Sequence, residues 1–381
     1  MVHNDYRVAG GETKSVYAEA SHLRAAGAEV RLLLRSTPES LSSLQVVDYL
    51  VTGRGTSRAM HDAIDDFQPD LIHVQNLWPS WGVGGIRAIR QSGIPYVQTL
   101  RNYRWSCLSA NHFREKAECH ACVKSATAWR GVLNGCYRDS RPASSAILLH
   151  DIGIRSERRK ESGKPRFVIA LSHAMKDRIE LNEPGKYEIR VKYNCLEEEP
   201  TRNSAEKSGL IWVGRLEPEK GFHHFLSGWE KSHRPPLTIV GSGSLRAEAE
   251  DLLKRYPGLV QFCAEISHGE AMRLIAKSRL SVVIPLWEEP FGRVVLESLA
   301  MGTPVLHSGR GALTELIGDG GWQIASTAQA VARGIDEHYS IAESKRDSAR
   351  RRYDDILSPE ATTLRLQEIY NEAIGANRKS D

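Results

Sequence analysis

Residues 210–221 read LIWVGRLEPEKG. Four apolar residues, Leu210–Val213, run without alternation into a turn carrying Gly214 and Arg215. An amphipathic stretch, Lys220–Lys231, follows. An unbroken apolar strand is one covered on both faces, and strand–turn–helix units of this kind build parallel sheets. Toward the C-terminus the unit repeats. Strands are predicted at Leu237–Val240, Leu259–Cys263, Leu280–Pro285, Pro304–His307 and Trp322–Ala325. Helices are predicted at Leu245–Tyr256, Gly269–Ser278, Gly292–Met301 and Leu313–Ile317.

Toward the N-terminus the same rhythm has already run once. Val30–Leu34, Leu71–Gln75, Tyr96–Leu100 and Phe167–Leu171 read as strands, and Glu12–Ala26, Thr56–Phe67 and Val83–Gln91 as helices. Ahead of the first loop stand only Met1–Asn4, so the first strand is expected either to be short or to begin inside a longer frame. Between the two runs lies a polar, acidic, aperiodic segment, 194–208 (NCLEEEPTRNSAEKS). The expectation is an α/β chain of two Rossmann-like doubly wound domains, 1–194 and 195–357, with a last helix over Ser358–Ala373 opened by Ser-Pro-Glu. Residues 103–165 break the rhythm and read as an insertion in the first domain.

Composition narrows the class. Of 381 residues, 41% are hydrophobic and 26% charged, which excludes a disordered chain or a fibre. The longest apolar run, Ala143–Ile154, contains His150 and Asp151 and is too short and polar to cross a bilayer. No cationic, apolar leader precedes a small-residue cleavage site, so a cytoplasmic location is expected.

Two segments carry chemistry. Arg215 and Lys220 follow a strand, at the edge where parallel sheets bind ligands, and two cations beside small residues suit a diphosphate. Residues 288–302, EEPFGRVVLESLAMG, place Glu289 before a helix beginning near Gly292 and Glu297 inside it, eight residues or about two turns after Glu289. A helix N-terminus favours an anion, and carboxylates suit sugar hydroxyls. Glu297 sits in an apolar context, where a buried carboxylate needs a partner.

Here the sequence resembles the retaining glycosyltransferases of family 4, which have the GT-B fold. The Glu-x7-Glu run from Glu289 to Glu297 within EPFGRVVLESLAMGTPV is similar to that family's donor-site signature. VGRLEPEKG (213–221), VGSGSLRAEAE (240–250) and AEISHGEAM (264–272) fall in the family's order, and VHNDYRVAGGE (2–12) resembles its first loop. The resemblance implies two domains facing an interdomain cleft and a closing helix that returns to the first domain. It implies transfer from a nucleotide-diphosphate sugar to a glycan, lipid-linked or small-molecule acceptor, with no metal ion or other cofactor required. Arg215 and Lys220 would then bind the diphosphate, Glu289 the transferred sugar, and Glu297 the ribose. Gly214 and the backbone near Phe291, Gly292 and Arg293 would complete the phosphate site, and Gly10 and Gly11 would let the first loop approach the donor.

The chain departs from the pattern at two places. Arg101 stands where relatives often have His, and Gln75 where they often have a second His. Arg cannot act as a base near neutral pH, so Arg101 is expected to supply fixed charge. A non-catalytic sugar-nucleotide-binding homologue and a sugar-nucleotide epimerase of the same fold are the alternatives. A dehydrogenase fits poorly, since no G-x-G-x-x-G opens a helix after the first strand.

Cys107, Cys119, Cys122 and Cys136 follow C-x11-C-x2-C-x13-C. That spacing is compatible with a structural zinc site, with a redox or disulfide pair, and with unlinked thiols; His112 and His120 are substitute ligands. Charge divides unevenly. Residues 1–194 carry 28 Lys+Arg against 20 Asp+Glu, and residues 195–381 carry 23 against 27. The basic half fits peripheral contact with an anionic inner membrane face, an acidic acceptor, or a solvated surface. Ala146–Ile154 followed by Arg155–Lys160 reads as an interfacial helix. No nucleic-acid-binding motif accompanies the charge, so nucleic acid is not an expected partner.

Overall fold

The computed structural model describes residues 1–5, 11–36, 53–125, 127–160, 166–199 and 207–378. Its contacts cluster into two units. The first comprises Met1–His112, His120–Tyr193 and Thr362–Asp381; the second comprises Phe113–Cys119 and Asn194–Ala361.

The first unit is built on β1 (Val2–Asp5), β2 (Leu33–Ser36), β3 (Ile72–Val74) and β4 (Tyr96–Leu100). After the β5–β6 hairpin (Phe113–Arg114, Ala117–Glu118) come β7 (Phe167–Ala170) and β8 (Glu188–Val191). The sheet order is β2-β1-β3-β4-β7-β8, every pair parallel. The helices are α1 (Gly11–Ala25), α2 (Arg54–Phe67), α3 (Gly82–Gln91), α4 (Trp129–Leu133), α5 (Arg141–Arg159) and α6 (His173–Asn182). One core joins Met60, Ile64, Ile86 and Ile89 to Val2, Ile72 and Val74. Another joins Leu23, Val97, Phe167 and Ile169 to Leu366, Ile369 and Ala373 of the closing helix, Pro359–Arg378. Their 3–4–residue spacing puts the latter three on one helical face. The closing helix runs five residues past its expected end.

The second unit holds β9 (Leu210–Val213), β10 (Leu237–Val240), β11 (Val260–Cys263), β12 (Leu280–Val283), β13 (Val305–His307) and β14 (Gly321–Gln323), ordered β11-β10-β9-β12-β13-β14 and all parallel. Its helices are α7 (Phe222–Lys231), α8 (Arg246–Arg255), α9 (His268–Lys277), α10 (Arg293–Ala300), α11 (Leu313–Ile317), α12 (Ala328–His338) and α13 (Arg346–Ile356). Trp212 of β9 stacks on Phe225 of α7 at 4.9 Å, in a core with Phe222 and Trp229. β9 lies centrally: the chain first builds outward through β10 and β11, then returns to its other side at β12. Such a reversal opens a crevice at the C-terminal strand ends.

Prolines trimmed two expected strands. Pro285 and Pro304 lack the N–H that a ladder needs, so β12 ends at Val283 and β13 starts at Val305. The helix expected from Lys220 starts at Phe222, because Pro218–Lys220 forms a 3₁₀ turn closed by Gly221. Phe113–Cys119, read as part of the first domain's insertion, clusters with the second unit.

Buried histidines make stability pH-dependent. Burial pushes His73 down to about 3, and His3 and His307 each to about 4. An unfolded histidine titrates near ~6.5. Between that value and about 4 the unfolded chain binds protons that the folded chain refuses, so stability must fall as pH falls. Each such histidine contributes a slope of up to ~1.4 kcal/mol per pH unit. Calorimetry from pH 7.5 down to pH 4.5 should show a falling Tm, and His73→Asn should make the fall shallower. An equally steep fall in the variant would refute the assignment.

Candidate functional site

In the second unit, the loops after β9 and β12 meet across the reversal point. Lys220 donates to Glu289 Oε2 at 2.7 Å, and its ammonium lies 4.9 Å from the Trp287 ring centre. Arg215, 64% exposed through its side chain, donates to Glu219 Oε1 at 3.0 Å. The Leu286 N–H in turn donates to the Glu219 carbonyl, tying the two loops together. A cation suited to phosphate and a carboxylate suited to sugar hydroxyls therefore stand side by side, as a sugar diphosphate requires.

Gly292, at φ 87°, precedes α10. That left-handed conformation favours glycine and turns the chain sharply into the helix. Arg293 opens the helix, and Glu297 follows one turn later. Glu297 is buried, and its Oε1 accepts from Arg293 Nε at 3.2 Å and pairs with His268 Nε2 at 3.0 Å. The buried Glu297 carboxylate thus has its partners. Phe291 is buried as a packing residue, and Gly214 donates its N–H to the Val240 carbonyl.

Two residues here, neither singled out by the sequence, support the two carboxylates. His268, at the start of α9, reaches Glu297 from a separate strand–helix unit. Gly311, at φ 62°, lies so close to Glu289 that a Cβ would stand 2.3 Å from the Glu289 carbonyl oxygen. The next residue, Ala312, donates its N–H to that carbonyl. The loop after β13 is thus a brace for Glu289. At the far end of α10, the buried Lys207 ammonium donates to the carbonyls of Met301 and Gly302 and to Thr303 Oγ1, at 2.7–3.0 Å. A cation on the last carbonyls satisfies groups the helix leaves open and complements its dipole.

In the first unit, Arg101 follows β4, but its side chain is only 3% exposed. Its Nη2 donates to Glu19 Oε2 at 3.0 Å and to Gln75 Oε1 at 2.8 Å, and its Nε to the same Gln75 oxygen. Glu19, on α1, also accepts from Lys192 Nζ at 2.6 Å and from Gln75 Nε2 at 2.8 Å. Burial opposes the Glu19 charge, but Arg101 and Lys192 together overcome it and hold the carboxyl well below the usual range. The neighbouring His73 bridges Thr99 and Tyr370, at 2.7 and 2.6 Å. Arg101 is therefore the middle of a buried network. Gly11 opens α1, where its carbonyl accepts from Ser15 Oγ; Gly10 lies outside the described residues.

The four insertion cysteines do not assemble. Among the described residues no three His, Cys, Asp or Glu side chains are grouped to hold a metal ion. Cys122 and Cys136 pack against Leu108, Ala128 and Ile147, while Cys107 Sγ lies 3.0 Å from Ser109 Oγ. Cys119 falls in the segment that clusters with the other unit. As placed, these side chains do not fit the zinc site that their spacing allowed.

The defining pattern of the glycosyl transferases group 1 matches residues 197–354, and that of the glycosyl transferase 4-like domain matches residues 10–194. An uncharacterised glycosyltransferase of Methanocaldococcus jannaschii is 32% identical over 183 residues, covering 44% of this chain and 46% of that protein. The glycogen synthase of Mycobacterium tuberculosis is 28% identical over 233 residues, 56% of this chain and 55% of that protein. The chain thus spans about half the length of these curated relatives. The solved structure of Anabaena HepE in complex with UDP and glucose aligns with a TM-score of 0.66 at 17% identity, over 97% of this chain and 99% of that one. At that identity the likeness bears on the fold.

Proposed function

Because the chain belongs to the glycosyl transferases group 1, with the paired Rossmann-like units of the GT-B fold, we propose that it moves a sugar, with retention and without a metal ion, from a nucleotide-diphosphate sugar to a glycan, lipid-linked or small-molecule acceptor. The observation that carries the reading is the 2.7 Å Lys220–Glu289 contact across the reversal point of the second sheet. In a sugar diphosphate, the phosphate and the anomeric carbon are covalent neighbours, so their two receptors must be neighbours too. Arg215 and Lys220 meet the charge that grows on the departing phosphate, which favours the transition state over the bound substrate. Glu289 holds hydroxyls of the transferred sugar. Glu297, fixed by Arg293 and His268, holds the ribose. The departing phosphate oxygen takes the acceptor's proton, so no imidazole is needed where Arg101 stands.

The test begins with thermal shift. UDP and UDP-glucose should each raise Tm by mass action, and UDP release from UDP-glucose should accelerate on adding acceptor extracts. Epimerisation of UDP-glucose without acceptor would sink the reading. So would binding with no turnover across a panel of nucleotide sugars.

A further inference from the structure

The two helices α4 and α5, in the stretch that interrupts the first unit's α/β rhythm, carry a surface that the transfer reading does not use. Fourteen of the described residues between 121 and 160 are exposed. Six are cations (Lys124, Arg130, Arg138, Arg141, Arg159, Lys160), four are large apolar side chains (Trp129, Leu133, Leu149, Ile152), and one is an acid, Asp139. Those four are half of the eight large apolar side chains exposed on the described chain. Scattered exposed apolar residues need no explanation, but a concentration rimmed by charge marks an interaction surface.

The arrangement is ordered. On α5, Arg141, Leu149, Ile152, Ser156 and Arg159 recur at steps of eight, three, four and three residues, which keeps them on one face of a helix with 3.6 residues per turn. The opposite face, Ser144, Ile147, His150 and Ile154, is buried. Arg141 Nε donates to the Leu133 carbonyl at 3.0 Å, which joins the end of α4 to the start of this stripe. Trp129 and Leu133, one turn apart on α4, add two exposed apolar side chains toward the Arg141 end of the stripe. Two apolar residues at mid-helix, cations at both helix ends and a half-exposed tryptophan match the profile of a helix lying in a membrane interface.

We propose that the exposed face of α4 and α5 docks on an anionic phospholipid bilayer, with Leu149, Ile152, Trp129 and Leu133 entering the headgroup boundary and the flanking cations facing lipid phosphates. Charge decides for this occupant. Six exposed cations against one acid would repel a second copy of the same face, whereas an anionic leaflet attracts each of them. No helix of the described chain is long and apolar enough to cross a membrane, so the contact is peripheral. It concerns binding alone and does not rest on the transfer reading.

The test is sedimentation of the full chain with vesicles of phosphatidylcholine alone and of phosphatidylcholine with an equal share of phosphatidylglycerol. Binding is expected only with the anionic lipid, and it should weaken steeply with added salt. Leu149→Ser with Ile152→Ser should lower the partition coefficient by about tenfold or more. Each of Arg141→Gln, Arg159→Gln and Lys160→Gln should lower it about fivefold. All five positions are exposed, so Tm should hold and a folding defect would be visible. Equal binding to both vesicle types would overturn the proposal, as would an unchanged partition in the Leu149/Ile152 variant. A concentration-dependent dimer abolished by that variant, without vesicle binding, would reassign the face to self-association. UDP-glucose turnover measured without vesicles reports on the transfer reading separately.

Discussion

Replacing Lys220 by Ala is expected to lower kcat/KM for transfer from UDP-glucose by on the order of 10²-fold or more, and Arg215→Ala by a comparable factor. The two losses differ in origin. Lys220 holds Glu289 at 2.7 Å. Its removal deletes a phosphate cation and also frees the carboxylate that should meet the sugar, so both kcat and KM should suffer. Lys220→Arg keeps the charge but changes its shape, and should recover only part of the activity. Arg215 is mostly solvated, and its pairing with Glu219 contributes about 0–1 kcal/mol. The guanidinium is therefore free to leave Glu219 for a phosphate at little cost. Neither substitution should move Tm by more than a few degrees. Wild-type kinetics in either variant would remove the diphosphate site from this crevice.

The largest stability effect is expected in the other unit, at Glu19. It is the one acid among three buried side chains, with Arg101 and Lys192 on either side of it. Glu19→Gln keeps the shape but leaves two buried cations facing each other without a counter-charge. Breaking a buried ion pair in this way costs about 3–5 kcal/mol, a fall in Tm on the order of 10 °C for a unit this size. Lys192→Met behaves differently: Glu19 and Arg101 remain a neutral pair, so the cost should be clearly smaller. The double variant Glu19→Gln with Lys192→Met should be more stable than Glu19→Gln alone, because the repulsion is gone. Calorimetry on the three proteins decides it. Equal costs for the two single variants, or a double variant worse than either, would show that the three charges do not form one cluster.

These two sites were unequally legible in the sequence. The donor-side residues lie in two short segments, each a turn following an apolar strand, so local pattern placed Arg215, Glu289 and Glu297 on their elements; Lys220, expected to open a helix, ends the 3₁₀ turn before it. Strands β4, β9 and β10 were legible to the residue because each is a short run rich in β-branched and aromatic residues, set off by Gly, Pro or Asn nearby. The Glu19 cluster had no such signature. Glu19 and Lys192 are 173 positions apart, and nothing in a linear sequence says which of 98 charged residues will pair. The reading assigned Arg101 a place but not its inward turn, because the counter-charge that turns it sits on α1. Helix α13 was missed because only Ala349 and Tyr353 of its eleven residues are buried, too few to make a periodic stripe. For the cysteines, spacing left zinc, a redox or disulfide pair and unlinked thiols all open, because only placement in space distinguishes them.

The first unit is discontinuous. The face made by Leu23, Val97, Phe167 and Ile169 is covered by Leu366, Ile369 and Ala373 of the closing helix, and the 168 residues of 194–361 are synthesised in between. At about 5–20 residues per second, a ribosome needs roughly 8–34 s to make them. Throughout that interval the nascent first unit carries an uncovered apolar face, while the second unit, contiguous apart from Phe113–Cys119, has most of what it needs to fold. The order of folding on the ribosome is therefore reversed relative to the order of translation. Chaperone dependence in this protein should be concentrated in that waiting period, and a nascent chain arrested before residue 362 should be retained by chaperones far more than one released at full length.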